Sequence, residues 1–173
     1  MEFLYFLFSK TARGGIAAIL FFSAPSLVVD NNTLNLVGTL NGIVMPKVER
    51  ILKTGTEVKI KYDSSLIAHE KNGDQLVSGH IIHTVKYDPL AAIYHLDING
   101  KKVNVGDIKE AEKKLGEFRI VIPYKTGASR FDVYIEATID YESSLNIDLA
   151  GNVLWDYYIP NKKIRGITIE GTK

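Results

Sequence analysis

Beyond Leu27 the apolar and polar residues of this chain alternate with a period close to two. Thr33 to Ile43 runs apolar and polar in turn, and Glu57-Val58-Lys59-Ile60-Lys61-Tyr62 alternates cleanly, as a half-buried strand should. Between them, Pro46 to Gly55 reads as a short helix. Pro46 suits its first position, Val48, Ile51 and Leu52 share a face, and Gly55 can take a left-handed cap. Gln75 to Tyr87 is a long extended stretch with Val77, Ile81, Val85 and Tyr87 on one side and Ser78, His80, Thr84 and Lys86 on the other. Asp88-Pro89 marks a turn, after which Ala92, Tyr94, Leu96 and Ile98 return to one face. Asn99-Gly100 is a strong hairpin signal leading into Lys101 to Val105, because both residues tolerate positive φ.

A second helix follows. Asp107 and Glu110 have the spacing of a capping box, Ile108, Ala111 and Leu115 form a stripe, and Gly116 ends it. Strands are then expected at Glu117 to Tyr124, Phe131 to Tyr141, Leu145 to Leu149 and Lys163 to Ile169, with Val153 to Ile159 open to either reading. Many strands and two short helices predict an α+β fold with a mainly antiparallel β-sheet, sandwich-like in its layering. A pure β-sandwich is the nearest competitor, and the capping box argues against it.

The N-terminus breaks the pattern. Lys10 and Arg13 precede the apolar run Gly14 to Phe22, which closes in Ser23-Ala24-Pro25-Ser26. Charge, apolar run, then small residues is the order of an export signal. Ala24 and Ser26 hold the small-residue positions of a signal-peptidase site, so residues 1–26 are expected to be removed and 27–173 to form one exported β-rich domain. Two other readings stand beside this one: an uncleaved signal anchor over residues 14–29, and a buried helix of a cytosolic domain. The anchor run stops just short of the roughly 17–25 residues that span a bilayer. Either export route leaves Lys10 and Arg13 on the cytoplasmic side and puts the domain in the periplasm, soluble or tethered to the inner membrane.

Composition narrows the function. Cysteine is absent, which excludes disulfides, thiolate metal sites, a cysteine nucleophile and an N-terminal lipid anchor on cysteine. The 21 basic and 20 acidic residues leave a net charge of +1, and beyond the leader the two signs balance. Without a basic excess, nucleic acid is not an expected partner, and membrane contact is expected only through an uncleaved N-terminal segment. The sequence implies no cofactor.

The order of these elements resembles a family of exported bacterial proteins known as the domain-of-unknown-function family numbered 4390. The resemblance covers roughly residues 34–158. It rests on the leader, the strand ending near Gly42, the helix Val48 to Leu52, the segment Val85-Lys86-Tyr87-Asp88-Pro89-Leu90 with Tyr94, the helix Ile108 to Leu115, and Trp155. It implies an exported domain and carries no catalytic residues.

Candidate chemistry is sparse. A metal site would need His69, His80 or His95 brought together across strands with an acid such as Asp97; His83 falls on the apolar face and His80 on the opposite one. Glu136, Asp140 and Glu142 share a strand face, which a wetted surface explains. Ser78-Gly79-His80 and Ser143-Ser144 lack a nucleophile elbow or a triad order. Trp155, Tyr157 and Tyr158 are candidate binding residues for a sugar ring or a partner protein, set against a role sealing the core. The expectation is therefore a non-enzymatic, protein- or glycan-binding module with an envelope protein as partner, its catalytic and metal residues none. The alternatives are a hydrolase or metal-dependent enzyme, and a binder of lipid or a small apolar ligand between sheet and helices.

Overall fold

A computed structural model describes residues 21–30, 32–44, 46–125, 128, 130–142 and 167–170. Their elements run β1 (Phe21–Asp30), β2 (Thr33–Asn41), α1 (Pro46–Lys53), β3 (Glu57–Glu70), β4 (Gly73–Asp88), β5 (Ile93–Ile98), β6 (Lys101–Val105), α2 (Ile108–Gly116), β7 (Glu117–Pro123), β8 (Arg130–Glu142) and β9 (Ile167–Glu170). All strand pairs are antiparallel. They form two sheets, a small one in the order β1-β2-β7 and a large one in the order β6-β5-β4-β3-β8-β9. The α+β expectation with two short helices holds. No helix among the described residues is long and apolar enough to cross a membrane.

The inner faces follow from the alternation. Leu27, Leu34, Leu36, Leu40, Phe118, Ile120 and Ile122 come from the small sheet; Val58, Ile60, Tyr62, Leu66, Val85, Val133 and Ile135 come from the large one, all buried. Leu52 of α1 and Ala111 and Leu115 of α2 complete the same core at the end where both helices attach. Burying one Leu or Ile side chain contributes about 1.5–3 kcal/mol, so this shared layer is the main source of cohesion.

The two sheets approach closely over Gly79 of β4. A Cβ built there would stand 2.7 Å from Ile122 Cγ1 and 2.8 Å from Ile120 Cγ2. Its cross-strand partner is Ser64, which is 4% exposed and donates its hydroxyl to the Gly79 carbonyl at 3.1 Å. Two small residues facing each other thus make the hollow that β7 fills. Gly116 plays the same part at the end of α2, where a Cβ would meet the Leu40 carbonyl oxygen at 2.2 Å. It ends the helix without a left-handed conformation; Gly55 after α1 has one, with φ 78°.

The expected elements extend or shift in three places. The β3–β4 hairpin continues through Asp63–Glu70, where Asp63-Ser64-Ser65 interrupts the apolar rhythm. Ala92 lies not on β5 but in the preceding turn, with φ 54°. Phe21–Asp30, most of it assigned to the leader, pairs with β2 from Asp30↔Thr33 to Phe21↔Asn41. The strand expected over Leu145 to Leu149 and the stretch Val153 to Ile159 lie outside the described residues.

Candidate functional site

The four histidines are separated by the sheet that carries them. His69 is near the end of β3, His80 and His83 are on β4, and His95 is on β5. His95 Nδ1 lies 2.9 Å from Asn104 Oδ1 on β6. His80 faces outward opposite Asp63. Asp97, the acid considered with them, accepts instead from the Gly100 amide at 2.7 Å and closes the Asn99-Gly100 turn. Among the described residues, no three His, Asp or Glu side chains are arranged to hold a metal ion.

His69 bridges two acids. Its Nδ1 is 2.9 Å from Asp74 Oδ1 across the hairpin, and its Nε2 is 3.1 Å from Asp132 Oδ2 on β8, off the line of an aligned N–H bond. The hydrogen bond to Asp74 first, then the close Asp132 carboxylate, raises its pKa above the ordinary histidine value. The result is a clasp over three strands, with each ring nitrogen aimed at a different carboxylate.

His83 sits inside. It is 1% exposed, and burial lowers its pKa. Its Nδ1 lies 2.8 Å from the Leu115 carbonyl oxygen, which can only accept, so Nδ1 carries the proton. The Tyr62 hydroxyl donates to the same oxygen at 2.8 Å, and burial raises the pKa of that hydroxyl. At the other end of β3, Glu70 accepts from the Tyr124 hydroxyl at 2.5 Å; burial first, then this bond, pushes Tyr124 up to about 12. These groups hold the strands together, and none of the bonds described positions a nucleophile against a base.

Glu136 and Asp140 lie on the outer face of β8, opposite Asp63 and Lys59 of β3; Glu142 is opposite Glu57. Lys61 and Asp63 are 2.9 Å apart on that outer face. It is a mainly charged surface, interrupted by Ile82 (46% exposed) and Leu76 (70% exposed).

The outer face of the small sheet is different. Val28, Asn35 and Val121 stand in one row across β1, β2 and β7, with Val37 and Arg119 paired in the next. Val28 is 55% exposed, Val37 39% and Val121 50%. Between them Asn35 is buried because the Arg119 guanidinium folds over it, donating to Oδ1 from Nε at 3.2 Å and Nη2 at 2.8 Å. The Asn35 amide donates onward to Thr33 Oγ1 at 3.2 Å. Sequence reasoning missed this face, although Val28, Val37 and Val121 at outward positions of their strands were its signal.

Trp155, Tyr157 and Tyr158, the expected binding residues, lie outside the described residues. Tyr87 and Tyr94, read as core-facing, meet across β4 and β5 with ring centres 4.6 Å apart and planes tilted by 39°. The chain matches no family model, no curated protein and no solved structure.

Proposed function

We propose that this chain is an exported, non-enzymatic binding module of the bacterial envelope, with a protein as its partner. Export is supported by the order of charge, apolar run and small residues through Ser26. The observation that carries the binding reading is the cluster of three part-exposed valines around the Arg119–Asn35 pair on the outer face of the small sheet. Apolar side chains on an ordered sheet, with a guanidinium already fixed in place, lose little freedom on docking.

In-cell crosslinking of the C-terminally tagged chain tests this reading. A crosslinked envelope protein should be recovered with the wild type and lost with Val121→Asp, while the variant remains folded. Recovery of the chain alone, or of the same product with Val121→Asp, would contradict it.

A further inference from the structure

Strand β4 has an open side along much of its length. Strand β5 pairs with it only from Asp88↔Ile93 to His83↔Ile98, so over Gly73–Ile82 its only strand partner among the described residues is β3. The β3–β4 register runs to Glu70↔Gly73 without a slip, and Gly73–Ile82 contains neither lysine nor proline. Bulges, lysines and prolines are the usual devices that keep an edge from pairing. The edge strand β6, by contrast, carries Lys101 and Lys102. Leu76, 70% exposed, stands on the outer face within the open stretch. We propose that this edge pairs with the same edge of a second copy of the chain, antiparallel about a twofold axis at Leu76, and joins the two large sheets into one. The contact is separate from the valine face, which belongs to the small sheet.

The room beside β4 selects the occupant. The Asn99-Gly100 turn follows Ile98, which is opposite His83, and so closes the open side next to Ile82. An incoming strand must end or turn before that point. The β3–β4 hairpin itself meets this condition, because Lys71 and Asn72 reverse the chain between Glu70 and Gly73. Residues directly opposite in an antiparallel pair share a face, and a twofold axis makes such a contact self-complementary. Centred on Leu76, the pairing runs from Gly73 to Gly79. Asn72 of the second copy then comes opposite His80, short of the closed end.

Side chains choose among the registers. With the axis at Leu76, the two leucines cover each other, Asp74 meets the Ser78 hydroxyl, and Gln75 meets Val77. Moving the axis to Gln75 would set the Asp74 carboxylate against Leu76. Moving it to Val77 would drive the hairpin turn into Asn99-Gly100. The tip is also held ready for docking, since His69 Nδ1 fixes Asp74 at 2.9 Å, so little freedom is lost. Backbone bonds along Gly73–Gly79 supply the affinity, and the leucine pair fixes the register.

Sedimentation velocity of the purified full-length chain tests the contact. A reversible monomer–dimer equilibrium is expected. Leu76→Lys sets two like charges opposite each other and should weaken it about tenfold, with an unchanged circular dichroism spectrum. The chain has no cysteine, so Leu76→Cys introduces a single thiol. Its two copies, with Cβ atoms about 4.5–5.5 Å apart, should form an intermolecular disulfide on oxidation. Ser78→Cys should not, because its two copies would lie four residues out of register, about 13 Å apart. A chain that stays monomeric at millimolar concentration, a dimer untouched by Leu76→Lys, or equal crosslinking at both thiols would overturn the inference.

Discussion

Tyr62 and His83 end on the same acceptor, the carbonyl oxygen of Leu115, each at 2.8 Å, with their rings in edge contact at 5.3 Å. They lie diagonally on β3 and β4 and fix the end of α2 to the large sheet. Removing one donor still leaves the other on the oxygen. Tyr62→Phe should therefore cost about 0.5–1.5 kcal/mol, the net worth of a single hydrogen bond. In urea denaturation the double variant with His83→Leu should lose more than the two single losses added together, because only then is the carbonyl orphaned. Strict additivity would mean that the two bonds act independently.

The two buffered histidines give opposite pH dependences. His69 has a raised pKa, so its contribution is complete below the unfolded value of about 6.5 and is lost as pH rises through the folded value. His83 has a lowered pKa, so stability is lost as pH falls below about 6.5 toward the folded value and then levels off. NMR titration of the ring protons should place His69 above the ordinary value and His83 below it. Asp132→Asn should move only His69, downward. Two histidines titrating together near the ordinary value would remove both assignments.

Glycine substitutions should rank by what the new methyl group meets. At Gly79 the obstacles are the side chains Ile120 and Ile122, which can shift, and overpacking of that kind costs about 1–3 kcal/mol. At Gly116 the obstacle is the backbone carbonyl of Leu40, which cannot move without moving β2. Gly116→Ala should therefore lower the thermal midpoint more than Gly79→Ala. The reverse order would contradict the close approach of α2 to β2.

Asp107 caps α2 by accepting from the Glu110 amide at 3.1 Å. Asp107→Ala should destabilise the protein by about 0.5–2 kcal/mol in chemical denaturation. A loss within error would show that tertiary packing alone holds the first turn.

Local chemistry made much of this fold legible in the sequence. Asn99 and Gly100 take φ 53° and 81°, as the hairpin signal requires, and the Asp107 cap was readable from its spacing to Glu110. What the alternation hid was tertiary in origin. Ser64 occupies a core position because Gly79 and the two isoleucines above it leave room only for a small residue, and a serine there conceals the continuation of β3. Division into two sheets was likewise invisible, since β2 and β7 are separated by six intervening elements and nothing local records their pairing. At the candidate site, the histidines were readable as residues but their partners were not: the bridge from His69 to Asp132 depends on the register of β8 on β3. The valine face needed both register and sheet order before three separate residues became one surface.

Export is the claim on which the binding reading rests, and the N-terminus of the cellular protein tests it most directly. The chain would be tagged at its C-terminus, the cells fractionated, and the intact mass of the tagged species measured. A soluble periplasmic species beginning at Leu27 is the predicted result. Full-length protein in the cytosol would contradict the account, leaving Phe21–Ser26 as a permanent part of β1.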